Sequence, residues 1–303
     1  MRPATGILMM IAAVTIFTAM GAFIKAADRV PAGQAVFFRA GVSMPVILLW
    51  LIVRGQLSEG LRTSNWRGHA VRGLAGSVAM GLGFAALKFL PFPEVTGLRF
   101  VTPILIVVFA AMMLGERIRL VRITAVVVGL IGVAIILAPR LSLTGQGSEL
   151  FGAALVLGSA TLAALAQIFV KSMVARENPA AIAFYFAATA TTLSLLTIPF
   201  GWVWPTPWEF LLLISAGVVG GIGQLVLTNS YRYADAGALA PFTYVSMLWA
   251  ILIGWIVFSE IPTVPMLAGS GLIIASGIAI WLRERRLGRG QVAEGKVGAK
   301  GLQ

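Results

Sequence analysis

Ten apolar stretches, each about as long as a bilayer is thick, constrain this chain more than any other feature. A helix needs about 20 apolar residues to cross the hydrocarbon. Such runs fall at roughly 5–26, 33–53, 69–90, 95–115, 120–139, 150–171, 180–200, 208–229, 238–258 and 264–282. The gaps are short and carry turn chemistry, as in Leu90-Pro91-Phe92-Pro93, Glu177-Asn178-Pro179 and Pro205-Thr206-Pro207, so no separate soluble domain fits between them. Of 303 residues 59% are hydrophobic and 11% charged, whereas soluble domains have about a quarter of their residues charged. The sequence therefore predicts an all-α integral membrane protein with the lipid bilayer as its solvent. The run Ile7–Ile24 is longer than the h-region of a signal peptide, about 7–15 residues, and reads as an uncleaved first span.

The net charge is +12, and its distribution sets the topology. With the N-terminus inside, 17 Lys and Arg fall on the cytoplasmic side. These include Arg54, Arg62, Arg67 and Arg72 after the second run and the basic tail after Trp281. The opposite side has four: Lys25, Arg29, Lys88 and Arg140. Positive charge concentrates on the cytoplasmic side of membrane proteins, so both termini are expected there, in a cell inner membrane. The basic residues are not interleaved with aromatics on a soluble scaffold, which argues against nucleic acid as a partner. The chain has no cysteine, so disulfides, thiolate metal sites and thioether haem attachment are excluded.

The chain also repeats itself. At an offset of 144, Lys88 aligns with Arg232, Phe89 with Tyr233, Phe100 with Tyr244, Thr102 with Ser246 and Glu116 with Glu260. At an offset of 148, Val36-Phe37-Phe38 aligns with Phe184-Tyr185-Phe186, and Pro31 with Pro179. Five spans per half is an odd number, so the halves would lie in opposite orientations. Inverted repeats of this kind mark many alternating-access transporters, with the substrate site between the halves near the midplane. The expected organisation is ten transmembrane helices as two inverted five-helix repeats around a central cavity, with residues 1–142 and 143–282 as the halves and 283–303 as a basic cytoplasmic tail.

The stretch from Ala86 to Pro139, with TPILIVVFAAMMLGERI followed by GLIGVAIIL, resembles the EamA domain of the drug/metabolite transporter superfamily. The resemblance recurs from Pro241 to Trp281, with YVSMLWAILIGWIVFSE and GLIIASGIAI. It covers about 280 residues in two copies. It implies the ten-helix inverted repeat and the central cavity, and a cargo among amino acids, nucleosides, cofactors, drugs and other small metabolites.

Polar residues inside the apolar runs are the candidate site. A charge at the centre of a membrane helix costs at least about 2.5–3.5 kcal/mol, so Arg39 and Arg99 need a reason. Each lies about 6–9 Å below the external surface at 1.5 Å per residue, the side that Lys25 and Lys88 also face. Snorkelling to the interface is one reason. A substrate carboxylate or phosphate gripped bidentately is the other, and the repeat counterparts Ala187 and Thr243 show that symmetry does not require the charges. Glu94 and Arg99 are five apart and badly placed for an intrahelical pair. Gln224 near the middle of its run suits a cavity wall. Tyr244 and Trp249, with Trp255, would form an aromatic face for a planar ligand, or else pack or anchor at an interface. Glu116 and Glu260 end corresponding spans, where a carboxylate meets the unfavourable end of the helix dipole. They read as gating or structural residues with a cationic or amide partner, and Lys88 and Glu94 join that group. Close-spaced glycines at 73, 76, 81 and 83 and at 217, 220, 221 and 223 read as packing surfaces.

These readings favour a secondary transporter of a small organic solute, anionic or zwitterionic, such as an amino acid or a nucleotide-like cofactor. A broad-specificity exporter of amphipathic compounds and a passive facilitator are the alternatives. No Walker-type loop is present, which disfavours ATP coupling. Proton coupling rests on Glu94, Asp235 and the helix-end glutamates as titratable candidates. A membrane enzyme is disfavoured, because His69 is the single histidine and carboxylates do not pair at metal-ligand spacing; His69 reads as an interfacial residue. No cofactor or metal is expected, and the sequence is silent on oligomeric state.

Overall fold

The computed structural model describes residues 3–114, 120–140, 147–174, 176–234 and 239–276, together with 278, 279 and 282. Every regular element among these residues is helical. The helices are α1 (Pro3–Ala26), α2 (Ala32–Val53), a short α3 (Leu57–Leu61), α4 (Trp66–Ala86), α5 (Phe92–Arg99), α6 (Val101–Leu114), α7 (Leu120–Leu137) and α8 (Gly147–Met173). Then come α9 (Pro179–Leu195), α10 (Pro207–Tyr233), α11 (Val245–Phe258) and α12 (Val264–Ser276). Four segments, within α1, α2, α8 and α10, are long and apolar enough to cross a membrane by themselves, and shorter apolar helices accompany them.

Helix starts follow from local chemistry. Asn65 accepts from the Gly68 N–H at the head of α4, and Asn178 from the Ala180 N–H at the head of α9. At α10, Thr206 accepts from the Glu209 N–H while the Glu209 carboxylate accepts from the Thr206 N–H, a capping box with Pro207 in the first turn. Because Asn65 caps it, α4 begins at Trp66, about a turn before the apolar run suggests.

The apolar residues do not all face inward. Val53, Leu248, Ile256 and Val257 are each more than half exposed, far more apolar surface than a soluble protein leaves bare. This is the surface that lipid covers. Inside, α1 packs on α10, α4 on α8, and α2 against α9 and α10. Leu98, Ile104, Val156 and Ile273 centre one core, and Ile24, Val36, Phe84 and Leu213 another.

The run at 95–115, expected as one helix, is broken. The α5 helix ends at Arg99 and α6 starts at Val101, with Phe100 between them. The run at 238–258 is interrupted too, a 3-10 turn over Ala240–Tyr244 leading into α11. The two aromatic rings at these breaks, Phe100 and Tyr244, meet edge to face with centroids 5.1 Å apart. Arg99, the last residue of α5, lines the central cavity.

Candidate functional site

The centre of the bundle is a cavity of about 320 Å³. Its cationic lining is Arg39 from α2, Arg72 from α4 and Arg99 at the end of α5, and no Asp or Glu lines it among the described residues. Arg39 and Arg72 are buried, at 3% and 6% exposure. Arg99 is accessible, and lines the cavity opposite no acid. None of the three forms an ion pair among the described residues.

Phe186 of α9 organises the first two. The Arg72 guanidinium carbon lies 4.0 Å from its ring centroid and that of Arg39 5.4 Å. A cation over a ring contributes about 0.5–2 kcal/mol. Against this, Arg39 Nε, Arg72 Nε and Arg72 Nη1 are buried with no hydrogen-bond partner, and each such donor costs roughly 1–3 kcal/mol, more when charged. These donors have no protein acceptor and are free to bind a ligand in the cavity.

Glycines make room for these side chains. A methyl at Gly76 would overlap Arg72 Nη1, and one at Gly220 would lie 3.1 Å from Arg39 Nε. One at Gly83 would stand 3.8 Å from the Arg99 guanidinium carbon. Other glycines serve packing, as the sequence reading has it: Gly217 admits Val42 and Gly73 admits Thr189.

The other sequence candidates divide. Gln224 lines the cavity, its amide 3.3 Å from Thr228 Oγ1, and Gln167 lines it while accepting from the Tyr231 hydroxyl at 3.0 Å. The aromatic face is not where the sequence puts it. Tyr244 is buried against Phe100, outside the cavity lining, and Trp249 and Trp255 are 37% and 62% exposed on the outer surface. The rings that do line the cavity include Phe17, Phe84, Phe100, Phe186 and Tyr231.

The four cations expected to cluster separate into two groups. Arg39 and Arg99 enter the cavity, whereas Lys25 and Lys88 line a second hollow beside Asp28 and Glu260. There Lys25 pairs with Glu260, donates to the Leu90 carbonyl and lies 5.3 Å from the Phe258 ring. Glu260 also accepts from the Phe92 N–H, the first donor of α5, at 2.8 Å. One carboxylate thus joins the ends of α1 and α11 to the start of α5. Glu94 is buried in the first turn of α5, where the helix dipole favours a negative charge. Glu116 lies outside the described residues.

Two positions differ from expectation. Arg72 reads in sequence as one more basic residue of a cytoplasmic gap, although the run at 69–90 contains it, and in the structure it lines the cavity from α4. His69, near the start of α4, is not an exposed residue: it is 3% exposed, with Nε2 3.6 Å from the Glu177 carboxylate and its ring 4.7 Å from that of Tyr185. Among the described residues no group of three His, Asp or Glu side chains could hold a metal.

An apolar-faced helical bundle around a cavity lined by arginines defines an integral membrane protein with a polar interior. Comparison with known proteins gives the family. The EamA-like transporter family matches residues 4–138 and 150–282, and the chain belongs to it, within the drug/metabolite transporter superfamily. It is 31% identical to the pseudopaline exporter CntI of Pseudomonas aeruginosa, covering 91% of this chain and 95% of that one. It is 26% identical to a riboflavin transporter of Vibrio cholerae, over 91% and 92%. It is 27% identical to an S-adenosylmethionine uptake transporter of Rickettsia prowazekii, over 85% of each. A solved crystal structure 22% identical shares the fold, with TM-score 0.70 over 95% of this chain and 99% of that one.

Proposed function

We propose that the chain is a secondary transporter moving a small anionic or zwitterionic metabolite by alternating access through the central cavity. The observation that carries this is the lining: Arg39, Arg72 and Arg99 with no carboxylate among the described residues. Three fixed positive charges in a low-dielectric site attract an anion and repel a cation. The names of the relatives, pseudopaline, riboflavin and S-adenosylmethionine transporters, support a small organic cargo. With no carboxylate lining the cavity among the described residues, we read the cycle as exchange or gradient-driven flux.

Ten spans in two inverted halves, 1–142 and 143–282, are the architecture we infer. Packing supports it, because adding five to the span number turns one contact into another. The α1–α10 pair becomes α8–α4, the α2–α10 pair becomes α9–α4, and α1–α11 becomes α8–α6, all of them in contact. The matched breaks at Phe100 and Tyr244 support it as well. With Arg72 removed from the cytoplasmic tally, Lys and Arg still favour that side by 16 to four, so we place both termini in the cytoplasm. In this orientation Lys25 and Glu260 hold the external side closed.

A thermal-shift screen of the purified protein against a metabolite library tests the proposal. Anionic or zwitterionic solutes should stabilise the parent, and the shift should vanish in Arg99→Gln and shrink in Arg39→Gln. Hits confined to cations, or hits indifferent to both substitutions, would overturn it.

A further inference from the structure

We infer that the cavity contains two anion subsites on one face of α4, so that its cargo is an elongated solute with an anionic group towards each end. The inference rests on the anion reading above and deepens it.

The first subsite is Arg72 with Arg39. Both guanidinium groups reach the Phe186 ring, and both belong to side chains more than nine-tenths buried. Arg39 Nε, Arg72 Nε and Arg72 Nη1 have no protein acceptor. Arg72 lies against Gly76 of α4, on which a methyl would overlap it. The second subsite is Arg99, whose guanidinium lies against Gly83 of the same helix. Gly76 and Gly83 are seven residues apart, about 10 Å along the axis and within about 20° around it. The same stripe of α4 presents Ala79 and Met80 to the cavity between them. The wall is therefore cationic at two points and apolar between.

A guanidinium–carboxylate pair needs N–O distances of about 2.7–2.9 Å, so one carboxylate cannot satisfy two cations about 10 Å apart. A monoanion occupies one subsite and leaves the other uncompensated. A dianion with an apolar middle fills both and lays its chain on Ala79 and Met80. The volume, about 320 Å³, lies at the lower end of the range for small-molecule pockets, roughly 300–1,000 Å³.

The test uses the full-length purified protein and two probe series: succinate, adipate, suberate and sebacate, and the monomethyl ester of each. The esters keep the length and remove one charge. Affinity from calorimetry should rise along the diacids, and the longer diacids should exceed their monoesters by about tenfold or more, the size expected for a hydrogen bond to a charged group. In Arg99→Gln the diacid should fall to the level of its monoester. Arg72→Gln should do the same, and Arg72→Lys, which keeps the charge and should preserve the fold, should lose part of the preference. Equal binding of diacid and monoester at every length would overturn the two-subsite inference and leave the anion reading intact. Binding of neither series would overturn both.

Discussion

Arg72 is the residue on which sequence and structure differ most usefully. In the sequence it follows Arg54, Arg62 and Arg67 and is absorbed into a basic gap that the positive-inside rule explains. Yet it also lies within the apolar run at 69–90, and in the structure it belongs to α4, which Asn65 caps at Trp66. Arg39 and Arg99 were legible because they stand deep inside apolar runs, where a charge needs a reason. Trp249, which the sequence leaves open between a ligand face and an interface anchor, lies outside the cavity lining; aromatic residues facing lipid and aromatic residues facing a ligand look alike in one sequence. Two predictions belong at this scale. Even a buried ion pair can be replaced by apolar side chains of similar volume with a gain of about 1–4 kcal/mol, and an uncompensated buried charge costs more to keep. Arg72→Met should therefore raise the unfolding midpoint of the ligand-free protein while weakening anion binding about tenfold or more. A lower midpoint would mean that Arg72 holds the fold. Trp249→Ala should leave flux within about twofold, since a surface change away from packing and partners costs little; loss of flux at normal expression would return Trp249 to the site.

Elements are held together at the two ends of the bundle by different acids. Glu260 caps α5 through the Phe92 N–H and pairs with Lys25. Its place at a helix end was legible in the sequence. Its partner was not, because Lys25 is brought to it by the packing of α1 against α11 rather than by any local spacing. Glu260→Gln should speed labelling from outside of a cysteine placed at Thr96 in the cavity, and the swap of Lys25→Glu with Glu260→Lys should slow it again; unchanged labelling would deny the latch. At the other end Glu177, 5% exposed, accepts from the Ser64 N–H at 3.2 Å and lies near His69. Burial raises its pKa, but hydrogen bonds from Thr63 and Ser64 and the adjacent His69 bring it below the ordinary carboxyl value. A depressed folded pKa gives stability that is present above the unfolded value and lost as pH falls through the folded one. The midpoint difference between parent and Glu177→Gln should thus be full near neutrality and close as pH drops below about 4. A gap that widens in acid would contradict this account of the tie.

For the whole molecule, the all-helical membrane fold was legible from apolar run length alone, and the family from two copies of one pattern. The helix breaks at Phe100 and Tyr244 were not, since both lie in runs that read as continuous. The absence of cysteine makes single-cysteine labelling direct. With the proposed topology, a cysteine at Ser58 should label only from the cytoplasmic side and one at Trp204 only from outside, and the reverse pattern would invert it. The central claim is that the three arginines recognise the cargo of a carrier, and counterflow in proteoliposomes tests it most directly. A labelled anionic hit should enter parent vesicles with saturation and with acceleration by the same solute on the far side. Arg72→Gln and Arg99→Gln vesicles with equal protein should show neither. Equal counterflow in the variants, or flux without acceleration from the far side, would contradict it.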